Sequence, residues 1–266
     1  MKTSRRHALG QHFLAAPGIL ARIAAAVDPQ PDEFVLEIGA GRGALTLPLA
    51  ASGAKIVAVE VDPPLAAELR AKQLPNVFVV EGDVLLFDWA ELLRRHGAPP
   101  GPITIAGNLP YSISSPLLFR VAEDHQAIRR VVFLVQRETA ERITAGPGSK
   151  SFAPLGILLQ IYFAVRVLFK VAPGSFVPPP KVDSAVVLLE RRETPLLRIE
   201  DERAFRRFVH ACFAQRRKTL ANNLAAAGYP QERVAAALSD LGLDPKVRAE
   251  QIPIADLSAF HGGVRS

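Results

Sequence analysis

Short apolar runs alternate with segments of helical character between residues 33 and 136. The runs are rich in Val, Ile and Phe, which is typical of β-strands. Regular alternation of this kind predicts a parallel sheet with crossover helices. The predicted strands are Phe34–Ile38, Ile56–Val61, Val77–Val80, Ile103–Ala106 and Val131–Val135. The predicted helices are Ala44–Ser52, Pro64–Lys72, Trp89–Arg95 and Pro116–Asp124.

The strand runs are apolar without interruption, which favours a sheet covered on both faces. The pattern changes after Gln136. Ile157–Phe163 is compatible with a helix or a strand, and further strands are predicted at Val165–Val171 and Ala185–Leu189. The segment between those two strands, Pro173–Pro180, is rich in proline, and we expect no regular structure in it.

Residues from Glu200 onward predict helices. One apolar face recurs there at helical spacing, formed by Phe205, Phe208, Val209, Cys212 and Phe213. The change of pattern lies near 192–195, so we predict one domain over residues 1–192 and a small all-helical domain over 193–266. The expected fold class is α/β with this helical C-terminal addition.

Composition changes this picture little. The chain has 266 residues, 49% of them hydrophobic, which suffices for a large core. No apolar run is long and uncharged enough to span a bilayer, and no secretory signal is apparent, so we expect a soluble, cytoplasmic protein. The single cysteine, Cys212, cannot form an internal disulfide or a zinc site, and a buried position is expected for it. We expect no metal site.

Positive charge is concentrated in two regions. The formal net charge is +6, and residues 191–266 hold 13 Lys and Arg against 9 Asp and Glu. The first six residues contribute three positive charges. A basic C-terminal region and a basic arm suit a polyanionic partner such as a nucleic acid, although charge alone does not establish one.

A glycine-rich turn follows the first predicted strand. Gly39 and Gly41 lie between that strand and a helix, where glycine permits a sharp turn and close approach of a ligand. Glu60 ends the second strand, 19 residues after Gly41, and a carboxylate there can accept hydrogen bonds from a ribose. Asp83 follows the third strand, at the expected place of an adenine. This pattern fits NAD(H) and S-adenosylmethionine equally well, because both ligands contain adenosine.

The tetrapeptide Asn108-Leu109-Pro110-Tyr111 follows the fourth strand, beside the expected ligand crevice. Its chemistry suits methyl transfer to adenine N6, which is a poor nucleophile. The Asn108 side-chain oxygen and the Leu109 carbonyl can accept from N6 and stabilise its developing positive charge. Pro110 restricts Leu109 to extended conformations. Tyr111 can stack on a base that has left its helix.

The sequence resembles the ribosomal RNA adenine dimethylase family over nearly its whole length. Asn108–Tyr111 is similar to the (Asp/Asn)-Pro-Pro-(Tyr/Phe) motif of amino-group methyltransferases, in its rRNA adenine form. Similar segments also occur at Leu9–Leu14, Val35–Gly41, Gln136–Arg142, Pro147–Lys150, Phe176–Ser184 and Gln215–Leu220. The resemblance implies a Rossmann-like class I methyltransferase sheet and S-adenosylmethionine as the cofactor.

Within the family, the resemblance is to the bacterial small-subunit branch of the kasugamycin-sensitivity type. Leu109 favours this branch, since large-subunit relatives usually carry Ile there. The resemblance implies N6,N6-dimethylation of two adjacent adenosines in a hairpin loop near the 3′ end of 16S rRNA. The partner would be 16S rRNA within the small ribosomal subunit or its precursor, and the enzyme would act as a monomer without membrane association.

The resemblance also assigns site residues. Catalytic roles fall to the tetrapeptide and to Phe176, which would sandwich the target base with Tyr111 or else be a core residue. His12 stands where many members have Asn. Cofactor contacts fall to His12, Leu14, Gly39, Gly41, Glu60, Asp83 and Asn108. Arg216, Arg217 and Lys218 would contact phosphates or form a solvated helix start, and Arg5 and Arg6 would belong to a basic arm near the site.

Three other functions remain compatible with the sequence. A nicotinamide oxidoreductase would share the glycine turn but would leave Asn108–Tyr111 without a role. A ribosome-assembly factor would bind immature subunits as its main task. A large-subunit rRNA methyltransferase would differ from the favoured function only in its substrate.

Overall fold

The computed structural model describes residues 12–265, and the chain forms two compact units. The first comprises residues up to 140 together with 164–191, and the second comprises 141–163 together with residues from 192 onward. The strands are β1 (Phe13–Leu14), β2 (Phe34–Ile38), β3 (Lys55–Glu60), β4 (Val77–Glu81), β5 (Ile103–Asn108), β6 (Ile128–Gln136), β7 (Phe163–Val171), β8 (Phe176–Val177) and β9 (Ser184–Arg191).

The first unit is built on a seven-stranded sheet of order β4-β3-β2-β5-β6-β9-β7. Strands β2 to β6 pair in parallel, with Ile38 opposite Val59 on one side and Gly107 on the other. β9 pairs antiparallel to β6. Because the parallel strands end together, the residues that follow them meet at one edge of the sheet.

Helices pack on the sheet of the first unit, and further helices make up most of the second unit. Those of the first unit are α1 (Pro17–Val27), α2 (Thr46–Ala50), α3 (Pro63–Arg70), α4 (Trp89–Arg95) and α5 (Ser114–Glu123), and α6 (Arg137–Thr144) crosses the boundary. Those of the second unit are α7 (Pro154–Tyr162), α8 (Glu202–Cys212), α9 (Leu220–Ala226), α10 (Gln231–Asp240) and α11 (Ile254–Arg265). Among residues 12–265, no helix is long and apolar enough to cross a membrane.

The core of the first unit explains its unbroken apolar strands. All five residues of β2 are buried. On one face, Ile23 and Val27 of α1 join the same apolar cluster as Val132 and Leu134 of β6. Burial on this scale is the main force that holds helix to sheet, at about 25 cal/mol per Å² of apolar surface removed from water.

The second unit is helical, as predicted for the C-terminal region. Phe205, Phe208, Val209 and Cys212 are buried along α8, which confirms the apolar face of that helix. Phe213 lies just after the helix and packs edge-on against Phe152. Burial raises the pKa of the Cys212 thiol, in keeping with the buried position expected for it.

Two features differ from the sequence expectations. Residues 141–163 belong to the same compact unit as the C-terminal helices, whereas the sequence prediction grouped them with residues 1–192. α7 is apolar nearly all round and buries Ile157 and Leu159, so its local pattern did not reveal which unit it joins. Pro173–Pro180 is also partly regular: Pro173–Ser175 is a 3₁₀ turn, and β8 follows it.

β8 exists because it has a partner distant in sequence. It pairs antiparallel with β1, with Leu14 opposite Phe176 and Phe13 opposite Val177. Such a short ribbon is marginal alone, but Leu14 and Phe176 belong to the apolar cluster of the sheet. The pairing brings the N-terminal motif and the proline-rich segment together beside the carboxyl edge of the sheet.

Candidate active site

A cavity of about 200 Å³ opens at the carboxyl edge of the parallel strands. Its wall comes from the residues that end or follow β2, β3, β4 and β5, together with the β1–β8 ribbon. The predicted site residues that line it are His12, Gly39, Gly41, Glu60, Asp83, Asn108, Leu109, Pro110, Tyr111 and Phe176. Residues from six separate segments therefore meet where the sequence predicted one ligand crevice.

The glycine turn has the backbone shape that requires glycine. Gly39 and Gly41 have φ values of +71° and +55°, in the left-handed region that side chains disfavour. A Cβ on Gly41 would come within 3.2 Å of the Phe13 ring. The amide of Gly39 donates to the Val59 carbonyl at 2.9 Å, which ties the turn to β3.

Glu60 holds the glycine turn as well as facing the cavity. Its side chain is 3% exposed. Oε2 accepts from the Gly41 amide at 2.7 Å, and Oε1 accepts from the Asp62 amide at 2.9 Å. A carboxylate has about four acceptor positions, so these two bonds leave capacity for a ligand. The sequence predicted the ligand contact but not the bond to the turn.

Asp83 lines the cavity and lies shortly after the end of β4. Its Oδ1 accepts from the Leu85 amide at 2.9 Å and caps the 3₁₀ turn Val84–Leu86. The residue is exposed, unlike Glu60. Oδ2 is therefore the oxygen that this local bond does not use, and it can accept from a ligand amino group.

Glu37 is a buried acid that the sequence did not single out. It lies in β2, two residues before Gly39, and is 2% exposed. Its pKa is raised to about 8: burial is the main cause, the Thr46 side chain opposes the rise, and the charge of Glu60 adds to it. Glu37 therefore holds a proton at neutral pH.

Asn108 is the last residue of β5, and its amide is oriented by the N-terminal segment. Nδ2 donates to the backbone carbonyl of His12 at 3.2 Å. This bond uses the donor end of the amide, so Oδ1 is the end that can accept from a ligand. Leu109 is buried, and its backbone amide donates to the Leu134 carbonyl of β6 at 3.2 Å. The start of the tetrapeptide is thus fixed by two hydrogen bonds.

Tyr111 begins a 3₁₀ turn directly after Pro110. Its hydroxyl forms a hydrogen bond of 2.8 Å with the Ser184 hydroxyl. The ring centroid lies 5.6 Å from that of His12, with the planes tilted by 31°. Burial raises the pKa of Tyr111 above its usual value, although the bond to Ser184 opposes the rise. The hydroxyl is therefore neutral at physiological pH.

The residues in and next to the β1–β8 ribbon differ in whether they line the cavity, lie in the core, or do both. His12 donates through Nδ1 to the Pro178 carbonyl at 2.8 Å, which adds a link between the N-terminal motif and the proline-rich segment. Phe176 lines the cavity but is only 2% exposed and belongs to the core cluster. Leu14 is buried in the same cluster and is not part of the cavity wall as described. Its cofactor contact, like the sandwich role of Phe176, stays a prediction.

The basic residues predicted for RNA binding fall in two places. Arg216, Arg217 and Lys218, which we name the basic turn, are all exposed and lie in the second unit. They do not begin a helix: α9 starts at Leu220 and is capped by the Thr219 hydroxyl. Arg216 donates to the Lys150 carbonyl of the same unit. Arg5 and Arg6 lie outside the described residues.

Sequence reasoning missed several residues of this site. Phe13, Val61 and Ile113 line the cavity, and Ser184 supports Tyr111 from behind its wall. Phe13 and Ser184 lie inside two of the segments that resemble the family, and that resemblance was the sequence signal that could have identified them. Val61 is exposed and follows β3 directly, a place that strand-end logic marks for contact with a ligand.

The fold and the cavity define a class: a Rossmann-like α/β protein with a cavity at the carboxyl edge of its sheet, where proteins of this fold bind their ligands. The sequence matches the ribosomal RNA adenine dimethylase family over residues 2–260. The chain belongs to that family and is a methyltransferase of the rRNA adenine dimethyltransferase type. The family confirms the predicted fold class and enzyme class, and it decides against a nicotinamide oxidoreductase.

Two curated relatives share the family and most of their length with this chain. The ribosomal RNA small subunit methyltransferase A of Geobacter sulfurreducens is 43% identical over 263 residues, which cover 97% of this chain and 95% of the relative. The protein of the same name from Xanthomonas campestris is 42% identical, over 94% of this chain and 93% of the relative.

Two solved structures have the same fold. The 23S rRNA methyltransferase ErmE is 30% identical with a TM-score of 0.71, and the match covers 96% of this chain and all of the other. A dimethyladenosine transferase from Plasmodium falciparum is 27% identical with a TM-score of 0.78, over 94% and 96% of the two chains. Both matches extend well beyond the sheet of the first unit.

Proposed function

We propose that this protein uses S-adenosylmethionine to dimethylate N6 of two adjacent adenosines in the 3′-terminal hairpin loop of 16S rRNA. The observation that carries the proposal is the orientation of Asn108, whose Oδ1 can accept from a ligand in the cavity because Nδ2 is bonded to His12. The names of the curated relatives support the small subunit as the source of the substrate.

The cavity residues fit the proposed cofactor. The glycine turn allows close approach of a ligand to the backbone, and Glu60 has acceptor capacity for a ribose diol beyond its two backbone bonds. Asp83 can accept from the adenine amino group of the cofactor. When bound, S-adenosylmethionine supplies an activated methyl group on a positively charged sulfur.

The tetrapeptide would prepare the target adenine. The N6 lone pair is delocalised into the ring, and transfer of a methyl group places positive charge on N6. Asn108 Oδ1 and the Leu109 carbonyl accept from the N6 hydrogens and stabilise that charge more in the transition state than in the ground state. Because hydrogen bonds fix Asn108 and Leu109 before the substrate arrives, little reorganisation is needed during the reaction.

Tyr111 would hold the base by stacking rather than by proton transfer. The target adenine must leave its stack in the hairpin loop to enter the cavity, and stacking on an aromatic ring offsets part of that cost. The Tyr111 hydroxyl is neutral and bonded to Ser184, so it is unsuited to act as a base. A methylated N6 carrying an extra proton is acidic and loses that proton to water without a strong base.

The second unit would bind the RNA backbone. The three cations of the basic turn are exposed, and such groups contact phosphates without reading sequence. Arg5 and Arg6 would add contacts near the cavity. We place the catalytic chemistry in the first unit, in one chain acting as a monomer in the cytoplasm, on the small subunit or its precursor.

Large-subunit rRNA is the second candidate substrate, since the solved structure of a 23S rRNA methyltransferase shares this fold at 30% identity. The curated relatives named for the small subunit are more similar to this chain, at 42–43% identity. Binding of immature subunits in ribosome assembly is compatible with the same protein, because it would use the RNA surface and not the tetrapeptide.

Labelled methyl transfer tests the proposal. Unmethylated small subunits and unmethylated large subunits are offered in parallel with S-adenosylmethionine, and the modified bases are mapped. We expect two adjacent N6,N6-dimethyladenosines in 16S rRNA and no label in 23S rRNA. Label in 23S rRNA alone would reject the small-subunit substrate, and Asn108→Ala serves as the inactive control.

A further inference from the structure

Ser184 has no part in the function proposed above, yet its side chain contacts the cavity wall. It is the first residue of β9, is 0% exposed, and pairs through its backbone with Gln136 of β6. Its Oγ lies 2.8 Å from the hydroxyl oxygen of Tyr111. The sheet therefore holds one hydroxyl rigidly behind the aromatic residue that lines the cavity.

We propose that Ser184 is a positioning residue, which fixes the ring of Tyr111 in the orientation that receives the extruded adenine. The inference rests on the proposed function and deepens it. Ser184 would touch neither the base nor the cofactor and would act only through the hydroxyl pair. Its own position is secured by the β6–β9 pairing, so the hydroxyl provides a fixed anchor.

The Tyr111 ring is restrained at both ends. The 3₁₀ turn fixes its backbone, and the bond to Ser184 fixes the far end of the side chain. On one side the His12 imidazole lies 5.6 Å away and is itself bonded to Pro178, which limits how far the ring can swing. Because the Tyr111 side chain loses its conformational freedom when the protein folds, little of that entropy is lost again when the base binds. This is preorganisation.

Burial strengthens the hydrogen bond between the Ser184 and Tyr111 hydroxyls. Ser184 is fully buried and Tyr111 is half-buried, so water competes poorly for this bond. The pair is also asymmetric. Tyr111→Phe leaves a fully buried serine hydroxyl without this partner, whereas Ser184→Ala leaves the hydroxyl of a half-buried residue without it. The two single variants should therefore differ in stability but share the same defect in ring orientation.

A double-mutant cycle tests the proposal on the full-length enzyme. Turnover, KM for the RNA and the dissociation constant of S-adenosylmethionine are measured for Ser184→Ala, Tyr111→Phe and the double variant. Each single change removes one neutral hydrogen bond and should lower turnover by about twofold to tenfold. Cofactor affinity should not change. The double variant should be no slower than the slower single variant, because both changes break the same bond.

Two further variants separate positioning from general stability. Thr104 offers a matched control, since it is a buried hydroxyl of β5, 1% exposed, that donates to Glu33 at 2.7 Å away from the cavity. Thr104→Ala should lower the melting temperature and leave turnover unchanged. Ser184→Thr keeps the hydroxyl and should restore more of the turnover than Ser184→Ala.

Two outcomes would overturn the positioning role: full turnover by Ser184→Ala, or effects of the two single changes that multiply in the double variant. The wild-type enzyme is assayed beside the variants. If the wild type is active and the variants do not differ from it, only the positioning role of Ser184 is rejected. If the wild type instead methylates a different rRNA, the proposed substrate fails, and the same cycle is run on that rRNA.

Discussion

The cavity and the basic turn contain polar groups in opposite states. In the cavity, Glu60 is nearly inaccessible and bonded to two backbone amides, and Asn108 is oriented by the His12 carbonyl. In the basic turn, Arg216, Arg217 and Lys218 are all exposed to solvent. The difference suits the roles proposed for the two regions: groups that act on reacting atoms need a fixed direction, whereas contacts to a phosphate backbone need mainly charge.

Asn108→Ala should show the largest effect. It removes the proposed preorganised acceptor for N6, and loss of one such group commonly lowers turnover by about a hundredfold to a thousandfold. RNA affinity should hardly change, because phosphate contacts dominate it. Single-turnover methylation and RNA binding are measured on the same preparation. An equal loss of turnover and of RNA affinity would mean that Asn108 serves binding rather than the chemical step.

Glu60→Ala should have the next largest effect, on cofactor affinity. The change removes the proposed ribose acceptor and also leaves the amides of Gly41 and Asp62 without their partner. Hydrogen bonds to charged groups contribute about 1.5–3 kcal/mol, so the dissociation constant of S-adenosylmethionine should rise by about tenfold or more. Calorimetry measures the constant, and circular dichroism checks that the fold survives.

Glu60→Gln is the informative companion variant. Both carboxylate oxygens of Glu60 accept from backbone amides. A glutamine has only one side-chain oxygen, so its NH₂ group would face one of these two backbone N–H groups, donor against donor. We expect Glu60→Gln to lose cofactor affinity as well. Wild-type affinity in this variant would show that the bond to the glycine turn is unimportant for the cofactor site.

Replacing all three residues of the basic turn by Ala should have a smaller effect, which depends on salt. RNA affinity should fall several-fold at moderate salt, and the slope of log affinity against log salt should flatten by about one for each lost phosphate contact. Cofactor affinity should stay constant. An unchanged slope would show that these cations remain solvated in the complex.

Glu37→Gln should change stability rather than activity. The pKa of Glu37 is raised to about 8, so between its ordinary value of 4.5 and about pH 8 the folded protein holds a proton that the unfolded chain has lost. The free energy of unfolding therefore falls as pH rises through this window and levels off above it.

A neutral Gln should remove this loss. We expect Glu37→Gln to be more stable than wild type by at least ~1 kcal/mol above pH 8, and similar to wild type near pH 5. Chemical denaturation at the two pH values measures the difference. Glu232→Gln, on an exposed position of α10, is the control and should show no such dependence. An equal effect of Glu37→Gln at both pH values would contradict the raised pKa.

The sequence determined most of the first unit and the composition of its site. Phe34–Ile38 and Trp89–Arg95 have the predicted bounds, because apolar runs and helical spacing are local properties. Glu60, Asp83 and Asn108 were identifiable because the strands of a parallel sheet end at one edge, so residues distant in sequence share one crevice. The motifs around them sufficed to indicate the family.

Only the tertiary structure decided the contacts between segments that no local pattern links. It paired β1 with β8, assigned residues 141–163 to the second unit, and joined Ser184 to Tyr111 across 73 positions of sequence. It also bonded Glu60 to the turn that it faces. Periodicity indicates which face of a helix or strand is buried, but it does not indicate which distant segment covers that face. The partner is decided only when the whole chain packs together.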